Sequence, residues 1–163
     1  MLLVFVGNNA ASYFVWRGEL LGFEYEMARE FARQNGLRLE MVVAQSLAEA
    51  VAMLREGRGD LIASPLVPTA ERVGQGLAFA RPYLLAAETV VARAGDRKLL
   101  RPAALAGRTV CVRPSSAYWQ SVRALQAAGV AVKLQAAEEE LETEELIRKV
   151  AEGDYDLTIA DSH

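Results

Sequence analysis

The sequence predicts an α/β fold built as two similar lobes. Short apolar segments alternate with stretches of helical periodicity, and the same order of segments occurs twice. A polar, proline-containing stretch, residues 95–107, separates the two occurrences. Strands that alternate with helices imply mainly parallel sheets covered on both faces, with ligands taken up beyond the carboxyl ends of the strands.

In chain order, residues 2–6 form a first strand, since the run is apolar but lacks the basic flank and small-residue cleavage site of a leader. Residues 22–35 place Phe23, Met27, Phe31 and Ala32 at helical spacing, which predicts a helix with that face toward the core. Gly36 ends it and residues 37–43 follow as a strand. Ser46 with Glu49 has the form of a capping box ahead of Leu47, Val51 and Leu54; Gly57 stops that helix, and residues 60–64 are the next strand. The second half repeats the pattern. After a strand at residues 108–112, Ser115 or Ser116 caps a helix that runs to Ala128 and ends at Gly129. A strand at 130–134, a helix at 144–152 stopped by Gly153, and a strand at 156–160 complete it. From the helix-ending glycine to the strand-opening aspartate is 24 residues in one half (Gly36 to Asp60) and 27 in the other (Gly129 to Asp156).

Composition narrows the function. The chain has 163 residues, 52% of them apolar, and a net charge of −3. Nine basic and ten acidic side chains fall in residues 1–93, nine and eleven in residues 94–163, so neither half is suited to neutralise a run of phosphates; no nucleic-acid partner is expected. Apolar runs are far shorter than the roughly 20 residues of a membrane span. Cys111 is the only cysteine and sits in an apolar strand, which predicts a buried thiol and no internal disulfide. The only histidine, His163, is the last residue, which leaves no Ser-His-Asp triad or multi-histidine metal site in this chain. Phosphate-binding glycine loops are absent, and the acidic run 138–145 reads as a solvated loop and helix start. No metal, cofactor or catalytic residue is expected.

The strand-end rule points instead to residues 7–14, 64–72, 114–117 and Asp161. Ser115 and Ser116 open a helix, where free N–H groups and the helix dipole favour an anion; the same serines also serve as plain caps. Arg72 follows a strand end and can clamp a carboxylate with two hydrogen bonds, or lie solvated against a surface glutamate. Asp161, at the last strand's end, can hold an ammonium group or cap a following helix. Tyr13, Phe14 and Trp16 cluster after the first strand, where aromatic rings line a ligand; at least one of the three is expected to be packed core.

These motifs, taken in order, resemble a known family. Leu21-Gly-Phe-Glu-Tyr-Glu-Met-Ala28, Gly57-Arg-Gly-Asp60-Leu-Ile-Ala, Pro68-Thr-Ala-Glu-Arg72, Phe79-Ala-Arg-Pro82-Tyr and Asp156-Leu-Thr-Ile-Ala-Asp161 are similar to those of the family 3 extracellular solute-binding proteins, of the type 2 periplasmic-binding fold. Within it, the Gly-Phe-Glu-Tyr-Glu segment and the Ala-Asp-Ser ending are most like the binding domains of lytic murein transglycosylases. The resemblance implies a two-lobed fold, C-terminally truncated relative to the family, with lobe one at residues 1–92, lobe two at 93–163 and a crossing segment near 88–100. It implies that Arg72 grips a ligand carboxylate with Ser115 and Ser116, that Asp161 receives an amino group, that Tyr13 and Phe14 form an aromatic wall, and that Ser64 adds a strand-end polar group.

The expected function is binding, not catalysis, of an amino acid or a peptidoglycan-derived carboxylate between the lobes. That binding would serve transport or regulation of a partner domain in the periplasm or outside the cell. A transporter or an associated catalytic domain are the expected protein partners, and an oligomer is compatible with an incomplete fold. A sensor domain of a larger protein and a small dehydratase on the same fold are the alternatives. Pro65, Val67 and Pro114 depart from the family pattern by removing hydrogen-bond donors, which argues against a standard free amino acid.

Overall fold

A computed structural model describes residues 1–7, 12–96, 99 and 101–162. The chain divides into two compact units, Met1–Leu77 and Ala78–His163. His163 itself, and residues 8–11 of the segment after the first strand, lie outside the described residues.

In the first unit, β1 (Leu2–Val6) runs parallel to β4 (Leu39–Val43) on one side and to the two-residue β5 (Leu61–Ile62) on the other. Being central, β1 buries Leu2, Val4, Phe5 and Val6. Asp60 ties β5 to β1: its backbone N–H donates to the Leu3 carbonyl (2.9 Å), and its carboxylate accepts the Leu3 N–H (2.8 Å).

Helix α1 (Phe23–Gln34) crosses from β1 toward β4, as expected, but its buried face is not the one its large apolar residues suggest. Glu24, Ala28 and Ala32 are buried, the alanines against Leu2 and Val4 with Leu39, Met41 and Leu61. Phe23, Met27 and Phe31 stay 54%, 41% and 49% exposed. The two stripes are adjacent on the helix, and small side chains let the helix come close to the sheet. Helical spacing alone does not say which of two neighbouring stripes faces inward.

The helix ends as the sequence predicts, one residue short of Asn35. Gly36 N–H donates to the Arg33 carbonyl (3.3 Å) and Leu37 N–H to that of Ala32 (2.9 Å), satisfying carbonyls the helix leaves open. Helix α2 (Leu47–Arg55) starts at Ser46, whose Oγ accepts the Glu49 N–H (3.2 Å). The Glu49 carboxylate returns to the N–H of Gln45 (2.7 Å) rather than to that of Ser46, a capping box displaced by one residue.

Between β1 and α1 lies a hairpin that the sequence reading left as an aromatic loop. Strands β2 (Phe14–Trp16) and β3 (Glu19–Leu21) pair antiparallel across Arg17 and Gly18, both at positive φ, which is the two-residue turn that suits strand twist. Gly22 then packs so closely against the Ser12 carbonyl that a Cβ there would lie 2.2 Å from its oxygen. A short helix, α3 (Ala70–Gly74), was likewise not foreseen.

The second unit repeats the first one's arrangement. Strand β7 (Thr109–Val112) pairs parallel with β8 (Lys133–Ala136), and Val110 bridges in parallel to Leu157, at the entry to β9 (Thr158–Asp161). Helices α4 (Ala117–Ala127) and α5 (Thr143–Glu152) are the crossovers. Strands β5, β8 and β9 are shorter or later than the segments 60–64, 130–134 and 156–160 read from sequence. Gly129 N–H to Gln126 (3.0 Å) and Val130 N–H to Leu125 (3.0 Å) reproduce the α1 ending. Val110, Val112, Val122, Val132, Leu105, Leu157 and Ile159 form the core, and Cys111 is buried as expected.

Strand β6 (Glu88–Val91) lies antiparallel to β9. The sequence reading counted residues 78–92 with the first lobe, whereas this strand pairs within the second unit. Residues 102–105 form a single 3-10 turn, Pro102–Leu105.

Asp156 has the job in this unit that Asp60 has in the first. Its carboxylate accepts the Thr109 N–H (3.1 Å) and, in addition, two hydrogen bonds from Arg108 (2.9 and 2.7 Å). Arg108 also pairs with Asp96, and Arg93 lies 3.6 Å from Asp156. The Arg108 hydrogen bonds hold the Asp156 carboxyl down at about 2.

Candidate functional site

The candidate residues lie in the segments that follow strand ends: Tyr13 and Phe14 after β1, Ser64 and Arg72 after β5, Ser115 and Ser116 after β7, and Asp161 at the end of β9. Tyr13, Phe14, Ser64 and Arg72 belong to the first unit; Ser115, Ser116 and Asp161 belong to the second.

Arg72 is not the solvated surface arginine that its sequence context permits. Thr69 caps α3 by accepting the Arg72 N–H (3.3 Å), which turns the side chain inward until the residue is only 8% exposed. One guanidinium nitrogen donates to the Val67 carbonyl (2.7 Å). Burial lowers the guanidinium's proton affinity, opposed by the charge of Glu71, but the group stays cationic. Ser64 is half-buried where β5 gives way to this loop, and its carbonyl accepts the Leu66 N–H (2.6 Å).

Tyr13 is half-buried with its ring 5.8 Å from that of Tyr25, and Phe14 is half-buried opposite Leu21 in the hairpin. None of the three aromatics is core. At least one of them is expected to be packed, but even Trp16 is 59% exposed, with the Arg17 guanidinium 5.6 Å from its ring centre. The unforeseen hairpin turns it outward.

In the second unit the start of α4 gathers the remaining candidates. Ser116 is its N-cap: the hydroxyl accepts the Trp119 N–H (3.3 Å) and donates to the Arg113 carbonyl (2.7 Å). Ser115, exposed beside it, meets the Glu139 carboxylate through both its N–H (2.9 Å) and its hydroxyl. An anion does sit at this helix start, and it comes from the chain itself. Glu139 belongs to the acidic run read as a solvated loop and helix start; it is exposed, as that reading expects, and the contact with Ser115 is an addition to it.

Tyr118, in the first turn of α4, donates its hydroxyl to Asp161 at the end of β9. Burial first, then the charge of Asp161 and this hydrogen bond, push the phenol well above its ordinary range. Ser115, Ser116 and Asp161 are thus gathered at the first turn of α4, through a residue that sequence reasoning missed. The signal for Tyr118 is its place two residues after the cap, which says that it faces the sheet's carboxyl edge only once the sheet exists.

With this geometry in view, the sequence profile of the bacterial extracellular solute-binding proteins, family 3, matches residues 3–128. The chain belongs to this family. Its fold agrees: an ancestral arginine-binding protein solved with arginine superposes with a TM-score of 0.80 at 23% identity, over 98% of this chain and 69% of that one. An ancestral amino acid-binding protein, a precursor of cyclohexadienyl dehydratase, does so with a TM-score of 0.82 at 22% identity, over 99% and 70%. These likenesses establish the type 2 periplasmic-binding fold, of which this chain spans about two thirds. Among curated relatives, the membrane-bound lytic murein transglycosylase F of Desulfosudis oleivorans is 38% identical over 99% of this chain, and that of Pseudomonas syringae pv. tomato is 32% identical over 100%. The chain spans about a third of the length of these relatives (35% and 33%). Family 3 is an extracellular family, and no helix among the described residues is long and apolar enough to cross a membrane.

Proposed function

We propose that this chain is a ligand-binding module that takes up a small zwitterion, an amino acid or an amino-acid-like fragment of peptidoglycan. Asp161 would receive the ligand's amino group. Arg72 would bind a ligand carboxylate, with Tyr13, Phe14 and Ser64 as further contacts from the first unit, and Ser115 and Ser116 would be the anion contacts of the second unit. The observation that carries this reading is the gathering of Ser115, Ser116 and Asp161 around the first turn of α4, linked by Tyr118. Family membership supports it, as do the structural neighbours solved with arginine, glutamine and lysine.

Glu139 bears on how the site works. A ligand carboxylate reaches the N–H and hydroxyl of Ser115 only by replacing the Glu139 carboxylate, so binding is coupled to release of the 138–142 loop. Relatives in which the matching segment is one third of a protein named for lytic transglycosylase activity favour regulation of an attached domain over transport. The module itself would be non-catalytic and would act outside the cytoplasm.

Calorimetry of the chain with a panel of L-amino acids and muropeptides tests the proposal. Arg72→Ala is expected to weaken the best ligand at least tenfold, about 1.4 kcal/mol. Unchanged affinity in that variant, or no binding by any zwitterion, would remove the assignment.

A further inference from the structure

In the reading above Asp161 receives the ligand's amino group, and a carboxylate at a strand end can turn about two side-chain bonds. The backbone beneath it is fixed, because β9 pairs with β6 residue for residue, from Thr158 opposite Val91 to Asp161 opposite Glu88. The carboxylate is fixed by a neighbour from another element. The Tyr118 hydroxyl donates to it, and the backbone N–H of Asp161 donates to the same phenol oxygen, so the two residues hold each other by two hydrogen bonds. Tyr118 is itself held. Its ring packs against the main apolar core of the second unit, which includes Val122 and Ile159. Ser116 closes the start of the same helix through the Trp119 N–H and the Arg113 carbonyl.

The chemistry of this partner matters as much as its position. Asp156, just ahead of the same strand, faces the guanidinium groups of Arg108 and Arg93, so its charge is taken up within the fold. Asp161 forms no ion pair among the described residues, and a phenol is an uncharged donor. The bond from Tyr118 therefore orients the carboxylate and leaves its negative charge, with its remaining acceptor positions, to an incoming cation. We propose that Tyr118 is a positioning residue of the binding site: it sets the direction of the Asp161 carboxylate without discharging it, and makes Asp161 a preorganised acceptor for the ligand's α-ammonium group. The inference rests on the zwitterion reading above and deepens it by naming the residue that tunes recognition of the amino end. A carboxylate already oriented loses less freedom when the ligand arrives, so the gain falls on the amine and not on the acid end. A bond that merely tied α4 to β9 would act on both ends of the ligand alike.

Calorimetry on the whole chain separates these roles, with L-arginine, L-glutamine and L-lysine as probes, each beside the same acid lacking its α-amino group. In the parent, the best-binding amino acid is expected to bind at least tenfold more tightly than its des-amino counterpart. Tyr118→Phe keeps the ring and removes the donor. It should weaken that amino acid by about five- to tenfold and the des-amino acid by less than about twofold, with a melting midpoint close to the parent's. Asp161→Asn should show the same selective loss at larger size. A Tyr118→Phe variant that binds as the parent does, that weakens both members of a pair equally, or that fails to fold would overturn the proposal and leave the zwitterion reading standing. A parent that binds an amino acid no better than its des-amino counterpart, or an unchanged preference in Asp161→Asn, would remove Asp161 as the amine's acceptor and take both readings down. Absence of binding by all three probes would overturn this inference, and the zwitterion reading too if the wider panel failed with it.

Discussion

The two units share a plan and differ in how firmly each is held. Both set a first strand between the two that come after it, end their first crossover helix on the same pair of carbonyl-satisfying hydrogen bonds, and use an aspartate to hold the last strand to the first. In the first unit that aspartate, Asp60, makes its carboxylate bond to a backbone N–H. In the second, Asp156 does the same and is also gripped by Arg108, itself paired with Asp96. Burial differs in the same direction. Of the large apolar side chains left exposed among the described residues, eleven are in the first unit, Phe23, Met27 and Phe31 among them, and four in the second. Sequence symmetry therefore fixes the layout of strands and helices without fixing how much stability each copy contributes.

The largest expected difference comes from deleting comparable apolar bulk in the two units. Leu157 is fully buried, and Leu157→Ala should lower stability by about 2–5 kcal/mol through lost transfer free energy and a residual cavity. Phe31 is 49% exposed, and Phe31→Ala should change it by less than about 1 kcal/mol. Urea titration of both variants decides the matter; comparable losses would show that the α1 stripe is packed and that the contrast between units is mistaken.

The paired aspartates offer a smaller contrast. Asp156→Asn is expected to cost about 1.5–3 kcal/mol, since it weakens charge-assisted hydrogen bonds, and Asp60→Asn about 0.5–1.5 kcal/mol. The same bonds set the pH dependence. A carboxyl whose folded value lies near 2, below the ordinary 3.8, stabilises the fold fully above the ordinary value and loses that contribution as pH falls from about 4 toward 2. Acid titration monitored by circular dichroism should therefore show the parent losing stability across that window more steeply than Asp156→Asn. Parallel curves would refute the role given to Arg108.

The smallest effect concerns the helix start. Removing the internal carboxylate with Glu139→Ala should strengthen binding of a carboxylate ligand by about two- to fivefold, because Ser115 no longer has to exchange partners. Weaker binding in that variant would mean that Glu139 belongs to the ligand's own contact set.

Much of the fold was legible in the residues themselves. Gly36, Gly57, Gly129 and Gly153 end helices where the pattern of apolar residues stops, and Ser46 and Ser116 begin them, because capping is a local matter of backbone geometry and side-chain reach. The hairpin at Phe14–Leu21 was missed because its turn is Arg17-Gly18 rather than the stronger Asn-Gly signal, and each of its strands has only three residues. The buried face of α1 was misassigned because alanine gives a weak apolar signal beside phenylalanine and methionine, although it is the residue that lets a helix approach a sheet.

The candidate site divides along the same line. The residue types at strand ends and the order of motifs nominated Arg72, Ser115, Ser116 and Asp161, because strand ends and helix starts can be read from short windows of sequence. That Arg72 is buried, that Glu139 occupies Ser115, that Tyr118 holds Asp161 and that Glu88 stands opposite it depend on strand register and helix packing. The last three contacts join residues 24 to 73 positions apart, a distance at which sequence carries the identity of each partner but not their pairing. Only the folded chain, by setting one register among several possible, decides which charges meet.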